Sequence, residues 1–84
     1  MFLAKVYVTL KPTVNDPHGQ TIMDGLSSMG FHSVRSVRTG KYMEIRIAET
    51  DQVLARQQAD AMCSKLLANP VIETYRIDIE NVAP

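Results

Sequence analysis

The sequence lacks most of the features that indicate a chemical function or a membrane location. It contains one cysteine and no tryptophan, and aromatic residues make up only 6% of its 84 residues. A single cysteine, Cys63, excludes an internal disulfide, so the fold has no covalent cross-link and suits a reducing compartment. No apolar run approaches the ~18 residues of a membrane span, and the opening MFLAKVYV lacks the regions of a signal peptide. We therefore expect a cytoplasmic protein.

The sequence also lacks an excess of charge of either sign. Nine basic and nine acidic residues give a formal net charge of zero. This balance removes the long-range field that nucleic-acid binders and anionic-membrane binders normally have, so we predict neither partner. A chain this short, residues 1–84, forms one domain that buries only about 60–65% of its unfolded surface. Self-association, as a homodimer or a higher oligomer, is therefore predicted.

The first half of the chain alternates between strand and helix signals. Residues 2–11 have a period of two, which predicts a half-buried strand that ends before Pro12. Asp16 can cap a helix whose first residue is Pro17. An i, i+4, i+7 stripe of apolar residues predicts that this helix covers residues 17–29.

The central stretch, residues 33–48, has the densest strand signal. Its second half alternates cleanly from Tyr42 onwards. Gly40 interrupts the stretch and tolerates a positive φ. The stretch therefore predicts either a hairpin with its turn at Gly40 or one long bent strand.

The second half of the chain predicts one more helix and one more strand. Thr50 or Asp51 caps the helix, which ends at Asn69 because Pro70 disfavours α geometry in the residue before it. Alternation from Tyr75 predicts the last strand. Residues 81–84 have no pattern, so we expect a frayed end.

This order predicts an α+β two-layer sandwich of ferredoxin-like type, β-α-β-β-α-β, with an antiparallel sheet and two helices on one of its faces. The other face then mixes aromatic and charged side chains, which is typical of a wet protein interface. We predict that this uncovered face is the dimer interface. Its residues are Lys5, Tyr7, Thr9, Tyr42, Glu44, Arg46, Thr74 and Arg76.

No set of residues forms a recognisable catalytic, cofactor-binding or metal-binding motif. His18 and His32 have no second ligand at helical spacing, so both are expected to be surface imidazoles. Cys63 lies on the apolar side of its predicted helix and has no paired histidine. It is interpreted as a small core residue rather than a nucleophile.

The segment RTGKY, residues 38–42, is the one candidate for a specific contact. Arg38 and Lys41 flank Gly40, and Tyr42 follows, so a turn here would present two cations and an aromatic at a tight corner between paired strands. We predict that this corner contacts a partner protein; a small bound anion and a solvated loop without a partner are the alternatives. The segment also resembles, loosely, a strand of an RNA-recognition motif, but the alternating aromatics of that motif are absent.

Three stretches together resemble the PurS subunit of bacterial phosphoribosylformylglycinamidine synthase. They are VYVTLKPTVNDPHG at residues 6–19, VRTGKYMEI at residues 37–45 and CSKLLANPVIETYRIDIE at residues 63–80. The resemblance implies a small subunit without an active site or cofactor of its own. It would join a glutaminase subunit, which releases ammonia, to a large synthetase subunit that uses ATP and magnesium in purine biosynthesis. It also implies self-association. It assigns no ligand-binding or catalytic role to any residue of this chain.

A second interpretation is a free-standing regulatory domain of the same topology that binds a small ligand between protomers. Such domains usually place a glycine-rich turn after the first strand. Here that loop is KPTVNDPHG, which contains two prolines. The loop therefore favours the PurS resemblance over the regulatory domain.

Overall fold

The structure is a computed structural model that describes all residues, 1–84. The elements follow in the order β-α-β-α-β. They are strand β1 (Phe2–Leu10), helix α1 (Pro17–Ser28), strand β2 (Gly40–Ile47), helix α2 (Gln52–Met62) with a π-helical turn (Cys63–Leu67), and strand β3 (Glu73–Asn81). Neither helix has the length and apolar character that crossing a bilayer requires.

The three strands form one antiparallel sheet in the order β2-β1-β3. In the central strand, Val6 lies opposite Met43 of β2 and Ile77 of β3. Apart from Leu3, this register places the apolar aliphatic residues of the strands on one face of the sheet. The predicted α+β class with an antiparallel sheet is confirmed.

Helix α2 covers the apolar face of the sheet and forms the core with it. Ala55 and Ala59 are completely buried where α2 meets β1 and β3, and the side chains of Val6 and Val8 are buried beneath them. Two alanines on the buried stripe allow the helix backbone to approach the sheet closely. Phe2 and Ile77 extend this core along the strands.

The end of α2 differs from the prediction in its geometry. The helix was expected to continue to Asn69, but its last turn widens into the π-helical turn, in which the Ala68 N–H donates to the Cys63 carbonyl at 3.0 Å. This turn keeps Cys63 completely buried. Pro70 follows within three residues and prevents further helix.

The central stretch contributes one strand to the sheet, not a hairpin. Strand β2 begins at Gly40, while residues 33–39 lie outside the sheet. The Thr39 N–H and hydroxyl both donate to Asp16, at 2.6 Å and 2.9 Å, and this holds residue 39 away from a strand partner. The prediction of a tight corner between paired strands at residues 38–42 is therefore wrong.

Helix α1 and the segment that returns from it, residues 17–38, form an arm that we call the α1 arm. Helix α1 makes no extensive contact with any strand. The sequence predicted that both helices cover the sheet, but within one chain only α2 does so. The helix boundaries agree with the sequence, because Asp16 caps α1 and Gly30 follows it with a φ of 97°.

The sequence predicted a frayed carboxyl end, but in the structure this end is bound to the sheet. Asn81 pairs with Phe2 in the last position of the ladder. The Val82 N–H donates to the Met1 carbonyl at 3.0 Å, and Arg46 donates to the carbonyl of Ala83 at 2.9 Å. Backbone hydrogen bonds of this kind have no signature in local hydropathy.

Candidate functional site

The face of the sheet opposite α2 is free of helices, and we call it the open face. Alternation along the three strands places there all the residues that the sequence predicted for the dimer interface, together with Leu3, Asp78 and Glu80. Its side chains are those of Leu3, Lys5, Tyr7, Thr9, Tyr42, Glu44, Arg46, Thr74, Arg76, Asp78 and Glu80. The sequence missed Asp78 and Glu80, although the alternation from Tyr75 contains the signal for both.

An aromatic and cationic cluster occupies the middle of the open face. The rings of Tyr7 and Tyr42 lie 5.0 Å apart between centroids and are tilted by 42°. The guanidinium of Arg76 lies 4.2 Å from the centroid of the Tyr7 ring, within cation–π distance. Tyr42 remains 50% exposed, so the cluster offers a rigid aromatic surface to another molecule.

The charged groups of the open face are already paired with neighbours. Lys5 lies 3.0 Å from Glu80, and this contact raises the pKa of the lysine. The Tyr42 hydroxyl donates to Glu44 at 2.8 Å, and because the bond requires the neutral phenol it raises the pKa of the tyrosine. Partners that hold these groups in place reduce the side-chain entropy lost when another surface covers them.

Two further residues of the predicted interface also have partners within the chain. The hydroxyls of Thr9 and Thr74 lie 3.3 Å apart across the β1–β3 pair. Arg46 binds the carbonyl of Ala83, as described above. The open face is therefore an ordered polar surface and not a set of independently solvated side chains.

The structure separates the three residues predicted to form a contact corner. Tyr42 lies on the open face, beside Tyr7. Lys41 lies on the opposite face, where its side chain is 58% exposed and its ammonium is 3.6 Å from Glu73. Arg38 precedes the strand and donates to the carbonyls of Lys11 and Val14 at 3.0 Å and 2.7 Å. The structure therefore does not bring the three side chains together at one corner.

Asp16 forms a polar node at the base of the α1 arm, which the sequence did not reveal beyond its role as a helix cap. Its buried carboxylate accepts from the N–H of Gly19 at 2.8 Å as well as from Thr39. The Thr39 and Gly19 N–H groups lower the pKa of this carboxyl to about 2. A Cβ at position 19 would collide with the carbonyl oxygen of Val37, so glycine is required for this close approach.

No cluster of three or more potential metal ligands exists in the chain. Cys63 is completely buried, and burial raises the pKa of its thiol, so the thiolate that a nucleophile requires is disfavoured. Cys63 is therefore a small core residue, as the sequence predicted.

Comparison with known proteins assigns the chain to a family. The family model for PurS, phosphoribosylformylglycinamidine (FGAM) synthase, matches residues 3–81. The chain belongs to the PurS family. It is 47% identical over 85 residues to the PurS subunit of Bacillus subtilis, a match that covers 98% of this chain and 96% of that subunit. It is also 47% identical over 75 residues to the PurS subunit of Synechocystis, with 89% and 75% covered.

Solved structures of PurS have the same fold. The Bacillus subtilis PurS structure matches with a TM-score of 0.87 at 47% identity, covering 96% of this chain and all of that one. Methanocaldococcus jannaschii PurS matches with a TM-score of 0.88 at 40% identity, covering 99% and 100%. A chain of the PurLQS structure from Thermotoga maritima matches with a TM-score of 0.84 at 26% identity, covering 95% and 99%.

The family assignment confirms the resemblance found in the sequence. PurS is a subunit of FGAM synthase, a glutamine-hydrolysing ligase of purine biosynthesis. The assignment also decides against the free-standing regulatory domain.

Proposed function

We propose that this chain is a non-catalytic subunit that holds the glutaminase subunit of FGAM synthase against its ATP-dependent synthetase subunit and so supports the transfer of ammonia. The likeness to a chain of the Thermotoga maritima PurLQS structure is the observation that supports this proposal. ATP and magnesium are then used by the synthetase, and this chain holds neither. The complex acts in the cytoplasm, where the buried, unpaired Cys63 stays reduced.

Omitting the chain from a reconstituted enzyme tests this role. Glutaminase and synthetase are mixed with and without the chain, and synthesis is measured with glutamine and then with an ammonium salt as the nitrogen source. We expect glutamine-dependent synthesis to fall at least about tenfold without the chain, because the glutaminase is then no longer held at a high effective concentration beside the synthetase. Ammonia-dependent synthesis should change far less, since external ammonia bypasses the glutaminase. Equal losses in the two assays would contradict a joining role.

The open face is proposed as a self-association surface. It carries three cations, Lys5, Arg46 and Arg76, and three anions, Glu44, Asp78 and Glu80. Equal numbers of both signs allow the face to be complementary to its own copy, as a twofold interface requires. Tyrosine and arginine at its centre are the residue types that dominate binding energy in such interfaces.

Two tyrosine substitutions test this surface. Tyr42→Ala removes the exposed aromatic from the open face, and we expect the dissociation constant to rise about tenfold or more in sedimentation equilibrium. Tyr75→Ala is the matched control, because Tyr75 is also partly exposed, at 39%, but lies on the face that α2 covers. Equal effects of the two substitutions would exclude the open face as the interface, as would a native protein that is monomeric and fully folded at micromolar concentration.

A further inference from the structure

A polar cleft of about 480 Å³ lies at the base of the α1 arm. Residues 15–17, 20 and 23, at and near the start of α1, line it together with residues 35–38 of the returning segment. Only two of these nine residues are hydrophobic, and none is aromatic. The cleft shares no residue with the open face, so it is independent of the self-association proposed above.

Two arginines, Arg35 and Arg38, line this cleft, and neither is paired with a carboxylate. The ion pairs of the chain involve Lys5, Lys41 and Arg76 instead. A guanidinium keeps its charge at physiological pH and has five N–H donors. The cleft therefore contains two permanent cations that no side chain of the protein neutralises directly.

Arg38 is held in place by the backbone at the base of the arm. Its Nη2 donates to the carbonyls of Lys11 and Val14, at 3.0 Å and 2.7 Å. These two bonds use the hydrogens of one nitrogen, so the hydrogens on Nη1 and Nε can still donate to a ligand. A side chain that is already fixed loses little conformational entropy when a ligand binds.

The one carboxylate that lines the cleft belongs to Asp16, and it is occupied by other donors. It accepts from the N–H groups of Gly19 and Thr39 at 2.8 Å and 2.6 Å, and from the Thr39 hydroxyl at 2.9 Å. Two arginines and one carboxylate give the cleft a formal charge of +1, whereas the whole chain has none. The amide of Asn15 and the hydroxyl of Ser36 add neutral donors to the lining.

We propose that this cleft binds a phosphate monoester with a small polar body, such as a phosphorylated sugar. A phosphate group offers several strong acceptor oxygens, and arginine matches its geometry better than any other side chain. The volume of the cleft lies within the range of small-molecule sites, so it can hold more than the phosphate alone. The lack of aromatic residues disfavours a nucleobase, which proteins usually bind by stacking.

Titration of the full chain, followed by NMR, tests this site. The ¹⁵N-labelled protein receives ribose 5-phosphate at constant ionic strength, because salt screens exposed charges. We expect saturable shifts of the backbone amides of residues 35–38 and of the Nε–H groups of Arg35 and Arg38. Ribose without phosphate should give no saturable shift. Equal affinity for inorganic phosphate or sulfate would overturn the proposal, because the cleft would then hold an adventitious ion only.

Substitution of Arg35 tests whether the cleft itself is the site. Arg35→Gln should raise the dissociation constant for ribose 5-phosphate at least about tenfold, because it removes a charged donor. Arg35 is exposed and forms no ion pair in the chain, so the variant should keep the native fold. Arg56→Gln is the matched control, since Arg56 is an exposed arginine of α2 outside the cleft. Equal losses of affinity in the two variants would overturn the site.

An acidic side chain of a partner protein is the other ligand that two arginines could receive. In that case ribose 5-phosphate gives no saturable shift, while Arg35→Gln lowers glutamine-dependent synthesis in the reconstituted enzyme and leaves ammonia-dependent synthesis unchanged. This result would overturn the phosphate site. It would leave the joining role of the chain intact, because that role is tested separately by omitting the chain.

Discussion

Replacing Asp16 by alanine is expected to lower the melting temperature of the isolated protein by roughly 10 °C, a large shift for a domain of this size. The buried carboxylate accepts from Gly19 and Thr39, which lie 20 positions apart in the chain. Removing it leaves those N–H donors without partners, and buried donors without partners are costly. Amide hydrogen exchange should accelerate throughout residues 17–38, because this node closes the base of the arm.

Asp24→Ala is the control for this substitution. Asp24 is also a carboxylate of the α1 arm, but it is exposed and bonds only to Gln20, at 2.9 Å. We expect the melting temperature of the Asp24→Ala protein to stay within about 2 °C of the native value, as is usual for substitutions at exposed positions. Similar shifts for Asp16→Ala and Asp24→Ala would show that the node does not hold the arm.

The acid dependence of stability provides a check on the same node. The folded pKa of Asp16, about 2, lies below the ordinary value of 3.8. The carboxylate therefore stabilises the fold fully at a pH above its pKa in the unfolded chain. This contribution is lost as the pH falls through its pKa in the folded protein. In the Asp16→Asn protein the acid-induced loss of stability should be smaller than in the native protein between pH ~4 and pH ~2.

Reversing the charge of Lys41 is expected to reduce glutamine-dependent synthesis by about tenfold while ammonia-dependent synthesis changes little. We propose that Lys41 contacts a larger subunit, because its side chain is 58% exposed and lies on the face opposite the open face. A charge reversal at a protein contact weakens assembly, and external ammonia removes the need for a bound glutaminase. The measurement is the ratio of the two rates in the reconstituted enzyme.

The neighbour of Lys41 makes the control specific. Lys41→Glu alone would place two carboxylates together, since Glu73 lies 3.6 Å from the lysine. Glu73→Gln removes that ion pair but keeps the oxygen that accepts from the Asn69 N–H at 2.7 Å, so it should behave like the native protein. The double variant Lys41→Glu/Glu73→Gln avoids this repulsion, and its glutamine-dependent synthesis should still be reduced. Unchanged rates in the double variant would remove Lys41 from the contact.

Local patterns in the sequence were sufficient to identify most of the elements. The period of two in residues 2–11 predicted β1 within one residue. The cap at Asp16 and the cap at Thr50 or Asp51, of which the structure uses Asp51, placed the starts of both helices. These features depend on contacts between neighbours in the chain, which leave a visible pattern. The same alternation assigned Tyr7 and Arg76 to one face of the sheet, where the structure brings them together.

The sequence by itself determined the elements, the apolar face of the sheet and the absence of a recognisable catalytic motif, because each depends on residue type and spacing alone. Only the tertiary structure decided that the central stretch forms one strand and that α1 stands away from its own sheet. Hydrogen bonds between Asp16 and Thr39, which lie 23 positions apart, join the two ends of the α1 arm. No local pattern encodes a contact between residues so distant, so the position of the arm could be read only from the folded chain.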